Sequence, residues 1–240
     1  MKQKETLLNI PLNKNNLTIA NEEDDDVYTS SSVETPLRED AFNLSDKEKI
    51  AIIEKNFKTI MHTLGLDLND DSLQQTPHRV AKMFVKEIFS GLNPDNKPNI
   101  TLFNNKYQYG QMLLEKNIAF YSHCEHHFVP IIGKAHVAYI STGKVIGLSK
   151  LNRIVGYFAK RPQVQERMTM QIGKELQNVL QTNDVAVLIN AKHLCVSSRG
   201  VKDDSATTIT VFYSGKFNDD DKVKNEFLKL IELKPDELIK

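Results

Sequence analysis

Only two cysteines occur in 240 residues, Cys124 and Cys195, and no long stretch of the chain is apolar. A secretory leader needs an apolar run of ~7–15 residues and a membrane-spanning helix ~20. The amino terminus reads Met1-Lys2-Gln3-Lys4-Glu5 and then turns polar, so a cytoplasmic protein with no membrane partner is expected. In a reducing compartment a disulfide between the two cysteines is disfavoured, and metal binding or catalysis is the better use for them. Net charge is also lacking: 31 Lys and Arg balance 31 Asp and Glu. A broad basic face for nucleic acid is therefore not expected, and any bound anion is small and gripped locally. No repeat of fixed period is present.

What is there divides into three parts. Residues 1–42 read as a disordered acidic arm, with Glu22-Glu23-Asp24-Asp25-Asp26, the serines Ser30-Ser31-Ser32 and few large apolar residues to offset ordering entropy. Residues 43–115 read as a helical region. Ser45-Asp46-Lys47-Glu48 fits a capping box, followed by Ile50, Ile53, Phe57, Ile60 and Met61 at helical spacing, with Gly65 as the stop. A second helix is expected with Thr76 as cap and Pro77 at the first helical position, carrying Val80, Phe84, Ile88 and Phe89 and stopping at Gly91. Residues 116–240 mix strands (117–121, 134–140, 184–189, 207–213) with helices from Ser149, after Pro162 and over 222–233. That order predicts an α+β fold, an antiparallel sheet covered by helices on one face.

Ser122-His123-Cys124-Glu125-His126-His127 packs three histidines and a cysteine into six positions. A tight turn or one helical turn points Cys124 and His127 the same way. If the strand from Val185 continues through His193-Leu194-Cys195, His193 and Cys195 share a face. Two thiols and several imidazoles then reach one cavity. Three protein ligands and an open position fit a catalytic zinc; a histidine as fourth ligand would make the site structural, and spacing alone also allows no metal. Imidazole as a side chain has an unperturbed pKa near ~6.5, so His126 and His193 suit proton transfer, or else serve as packing or supporting residues.

Ser149 suits a helix cap, while Lys150 and Arg153 lie in a first turn where the helix dipole disfavours cations. An anion there resolves the conflict, as does simple solvation of both charges. Gln165 and Glu166 open the next helix; the carboxylate already benefits from the dipole, and the pair also suits the edge of a heterocycle. Arg199 adds a cation near Cys195.

Together, Ser122–Phe128, Gly147-Leu148-Ser149-Lys150-Leu151-Asn152-Arg153, Arg161-Pro162-Gln163-Val164-Gln165-Glu166-Arg167 and His193-Leu194-Cys195 closely resemble the GTP cyclohydrolase I family. Thr76–Met83 and Glu87–Leu92 match it as well, and the resemblance runs from about Ser45 to the carboxyl end. It implies the tunnelling fold (T-fold), in which sheets of several subunits join into a barrel, and a homodecamer with active sites between chains. It implies Zn2+ held by Cys124, His127 and Cys195, and acid–base work by His126 and His193. Arg79, Ser149, Lys150, Arg153 and Arg199 would bind a triphosphate, and Gln165 and Glu166 a guanine ring. The implied reaction converts GTP and water to 7,8-dihydroneopterin triphosphate and formate, the first step of pterin and folate synthesis. One departure is the loop Lys202-Asp203-Asp204-Ser205, slightly shorter than the family pattern, so no role is assigned to Asp203 or Ser205.

Three other readings are weaker. A zinc deaminase pairs His-x-Glu with Pro-Cys-x-x-Cys, and Cys195 has no such partner. A non-catalytic pterin- or purine-binding relative would have lost ligands or Glu166, and all are present. A zinc-stapled nucleic-acid module is opposed by the zero net charge and the missing fourth ligand.

Overall fold

The computed structural model describes residues 32–233. The acidic run Glu22–Asp26 and the rest of the arm up to residue 31 lie outside them, as do residues 234–240. Helix α1 (Asp46–Thr63) begins as its sequence dictates. The Glu48 amide donates to Ser45 Oγ at 3.3 Å and the Ser45 amide donates to Glu48 Oε2 at 2.8 Å. That reciprocal box satisfies amides a bare helix start leaves open. At the other end Gly65, at φ +81°, donates to the His62 carbonyl.

Helix α2 (Thr76–Met83) starts one position earlier than expected: Gln75 is the cap residue and Thr76 already helical, with no side-chain cap. It then widens into a π turn (Phe84–Ile88) and a 3-10 turn (Ser90–Leu92). Gly91 does more than stop it. Its amide donates to Lys160 O at 2.9 Å, its carbonyl accepts from Arg161 Nε at 2.8 Å, and a Cβ there would lie 2.1 Å from Tyr157 O. Only glycine allows this approach, which docks the helical region onto the sheet region.

The remaining elements are β1 (Leu102–Asn104), β2 (Met112–Cys124), β3 (Pro130–Ile140), β4 (Lys144–Ile146), α3 (Leu148–Ala159), β5 (Pro162–Gln163), α4 (Gln165–Leu180), β6 (Val185–His193), α5 (Leu194–Ser197), β7 (Thr208–Tyr213), α6 (Lys216–Asp219) and α7 (Asp221–Glu232). Strands β1 and β4 form a two-stranded ribbon, and the main sheet runs β5-β2-β3-β6-β7. Every pair in the main sheet is antiparallel except the short β2–β5 pair. Alternation sorts the faces. Ala135, Val137 and Tyr139 of β3 point to α3 and α4, packing with Leu151, Ile154, Val155, Met168, Ile172 and Leu176. Ala138 and Ile140 point the other way, where Phe217 and Phe227 of α6 and α7 add cover to the opposite face. Helix α4 lies close on β7 because Gly173 meets the Phe212 ring, which a Cβ would strike at 2.3 Å.

Residues 32–35, grouped with the arm by composition, are tied to the body through polar contacts that an apolar count does not register. Ser32 O accepts from Arg167 Nε at 2.7 Å, Glu34 Oε2 from Gln171 Nε2 at 3.0 Å and Thr35 Oγ1 from Arg161 Nη1 at 3.4 Å. Among the described residues no helix is long and apolar enough to cross a membrane.

Candidate functional site

Cys124 is the last residue of β2, and the chain reverses directly after it. The Phe128 amide donates to Cys124 O and the Cys124 amide to Val129 O, both at 2.9 Å. Phe128 holds the turn at φ +55°. The expected tight turn between Cys124 and His127 is thus present.

The second thiol arrives differently. Strand β6 ends at His193, and Cys195 sits in the one-turn helix α5, so alternation along a strand does not carry it to the site. The local turn does: Cys195 packs against the core cluster that contains Cys124, close enough for the two thiols to influence each other. Burial and the neighbouring thiol push Cys195 up to about 11. Both cysteines are free thiols. His126 Nδ1 lies 3.7 Å from Cys124 Sγ, and its Nε2 3.8 Å from Glu125 Oε1. His127 Nε2 accepts from Arg199 Nη1 at 2.9 Å, while its Nδ1 is buried with no hydrogen-bond partner.

Among the described residues no three His, Cys, Asp or Glu side chains converge closely enough to form a ready metal cluster. The chemistry of the donors nonetheless fits a soft divalent ion. Two neighbouring thiols ionise together only beside a cation, and the His127 imidazole, its Nδ1 buried without a hydrogen-bond partner, becomes a third donor once the ring proton moves to Nε2 and the Arg199 contact is released.

His193 is half-buried, and its Nε2 lies 2.7 Å from Gln165 Oε1. Burial lowers its pKa, and the Glu166 carboxylate partly opposes that shift. Gln165 departs from the expected ring contact. It is 1% exposed, and its amide nitrogen is engaged by Ile189 O, Thr208 O and Thr210 Oγ1. The reason is its place at the first position of α4, where it faces β6 and β7; Glu166, one residue on, faces solvent.

On α3 the expected cap is corrected. Gly147 is the cap residue and Ser149 lies inside the first turn, exposed, because the helix starts at Leu148. Lys150 Nζ donates to Asn99 O at 2.8 Å. The side chains of Arg79, Ser149 and Arg153 are exposed, and none makes a side-chain ion pair or hydrogen bond among the described residues. Arg153 lines a cleft of about 450 Å³ with Lys160, Ser90 and Asn96. Asp203, left without a role, closes its own loop by accepting from the Ser205 and Ala206 amides.

One pair escaped the sequence reading. Arg167 forks onto Glu125, Nη1 to Oε2 at 2.5 Å and Nη2 to Oε1 at 3.2 Å, with 2% of the Arg167 side chain exposed. It ties the cysteine–histidine turn to α4. Both residues lie within the quoted motifs, but no local spacing reveals a pair 42 positions apart.

Fold and donors together define a class: an α+β enzyme of the tunnelling fold, with thiols and imidazoles gathered where strands end. A model of the family described as GTP cyclohydrolase I matches residues 53–232. GTP cyclohydrolase 1 of Flavobacterium johnsoniae is 62% identical over 208 residues, 87% of this chain and 93% of that protein. The proteins of the same name from Aeromonas salmonicida and Salmonella arizonae are 52% and 48% identical, covering 83% and 88% of this chain and 90% and 95% of their own lengths. The chain belongs to the GTP cyclohydrolase I family, a family of enzymes.

Proposed function

We propose that this chain hydrolyses GTP to 7,8-dihydroneopterin triphosphate and formate, opening pterin and folate synthesis in the cytoplasm. The observation that carries the reading is that Cys124 and Cys195, from distant parts of the sequence, come to one place, with His126 Nδ1 3.7 Å from Cys124 Sγ and His193 two residues before Cys195. Cys124, Cys195 and His127 would hold Zn2+. When bound, zinc acts as a Lewis acid that makes water nucleophilic near neutral pH.

The chain's own residues do the rest. His193 and His126 exchange protons with the purine ring as it opens, each from a site fixed by neighbouring side chains. Glu166, exposed at the start of α4, accepts hydrogen bonds from the guanine N–H edge. Lys150, Arg153, Ser149, Arg199 and Arg79 receive the triphosphate; a polyanion offsets cations that the helix dipole of α3 disfavours.

A homodecamer with sites between subunits is supported by two features. Tyr121, Ile132, Ile209 and Val211 lie exposed on one sheet face, and β7 has an open edge among the described residues. The exposed anion-binding side chains would then meet a neighbouring chain's thiol site.

Incubation of purified protein with GTP tests the reading through pterin fluorescence and formate release. Cys195→Ser is expected to lose bound zinc and turnover together. Full turnover without bound metal would refute the ligand assignment, and no pterin from metal-loaded wild type would refute the function.

A further inference from the structure

Gln165 carries an amide whose orientation the fold dictates. Its Nε2 lies 3.2 Å from Ile189 O, 2.9 Å from Thr208 O and 3.0 Å from Thr210 Oγ1. Two of these are carbonyl oxygens, which only accept, so the NH2 end must face them. The reversed amide would set its oxygen against the two carbonyl oxygens of Ile189 and Thr208 in a buried site.

The threonines agree with this direction. Thr169 Oγ1 donates to Gln165 O at 2.8 Å and lies 2.6 Å from Thr210 Oγ1. With the Thr169 proton committed, Thr210 donates to Thr169 and its oxygen is left to accept from Gln165. Gln165 Oε1 therefore points at His193 Nε2, 2.7 Å away. A carbonyl oxygen cannot donate, so the hydrogen of this bond belongs to the imidazole.

We infer that Gln165 is a positioning residue that locks His193 as its Nε2–H tautomer, leaving Nδ1 as the nitrogen that exchanges a proton with substrate. The inference rests on the proposed acid–base role of His193 and assigns that role to one atom. The proton taken at Nδ1 enters a lone pair and returns from it, while the Nε2–H bond to Gln165 stays intact throughout. Gln165 thereby acts on the substrate through His193, from a position with no open surface of its own.

The test is 15N magic-angle-spinning NMR of sedimented, zinc-loaded enzyme with labelled histidine, at one alkaline pH where neutral rings predominate. His193→Ala identifies the signal. Wild type is expected to show a protonated Nε2 and an unprotonated Nδ1 for His193. Gln165→Met, of similar size but with neither donor nor amide acceptor, is expected to give a mixture of tautomers. Its kcat should fall about 10- to 100-fold, with KM for GTP changed less than about threefold. Where Gln165→Met fails to fold, Thr210→Val keeps the amide and loosens it, with a smaller shift of the same sign. A wild-type His193 protonated at Nδ1, or an unchanged tautomer in a folded Gln165→Met, overturns the inference. Undiminished turnover in His193→Ala overturns instead the acid–base reading on which it rests.

Discussion

The two ends of the site are built on opposite plans. At the thiol end the key side chains are held by neighbours inside the chain: Cys195 packs near Cys124, His193 bonds Gln165, Glu125 pairs with Arg167 and His127 accepts from Arg199. At the cationic end, on α3, Ser149 and Arg153 are exposed, and among the described residues Lys150 reaches a backbone carbonyl alone. The difference is between a preorganised centre and an unsatisfied one. Fixed dipoles and donors lower a chemical barrier only if held before the substrate arrives. Charges that grip a flexible polyanion need only be available, and their mutual repulsion is relieved by the ligand.

Breaking the thiol end should therefore cost most. Arg167→Met leaves the Glu125 carboxylate without its bidentate partner in a site where only 19% of its side chain is exposed. Losing one member of such a pair costs about 3–5 kcal/mol. The expected outcome is a lower urea midpoint and weaker zinc retention against a chelator. Glu125→Gln added to Arg167→Met should recover part of the stability, since the uncompensated charge is gone. Unchanged stability in the single variant would show that the turn is held by its backbone bonds alone.

Gly91→Ala comes next and acts on the cationic end from behind. The new methyl meets Tyr157 O and Lys160 O, backbone atoms that cannot step aside. Overpacking of this kind costs about 1–3 kcal/mol. The C-terminus of α3 must shift, so the KM for GTP should rise while bound zinc stays constant. A fall in zinc content would show that the two ends are mechanically one unit.

How much of this was legible in the sequence follows the same divide. Capping boxes, strand alternation and the cysteine–histidine turn are local patterns, so α1, β2, β3, β6 and β7 and the position of Cys124 and His127 could be read directly. Candidate donors could be named from local motifs; the residues that support them could not. Cys195 reaches the site from α5 rather than along β6, and Gln165 turns inward because its helix starts against two strands. Gly91 reads as a stop, yet its role is a close approach to residues far along the chain. Each miss is a tertiary contact overriding a local rule.

Lys150→Ala sharpens the comparison at smaller scale. Its ammonium has no carboxylate partner among the described residues, so its removal should leave the melting temperature almost unchanged. Affinity for GTP should fall about tenfold, near ~1.4 kcal/mol, and that for guanosine hardly at all. Titration calorimetry of both ligands separates the outcomes, and equal losses would place Lys150 on the base rather than the phosphates.

Ser149→Ala has the smallest expected effect, and for that reason tests the plan most directly. A serine at a helix start ordinarily caps it, and removing such a cap costs about 1 kcal/mol, the loss expected of Ser45→Ala on α1. Ser149, however, follows the cap residue Gly147 and bonds no amide of its helix. Its loss should move stability by less than ~0.5 kcal/mol, within the range of ordinary surface changes. Whatever Ser149 contributes must then show only in the presence of GTP, as a modest rise in KM. Matched melts of the two alanine variants decide the point: equal losses would make α3 a conventionally capped helix, and the hydroxyl would no longer be free for an incoming phosphate.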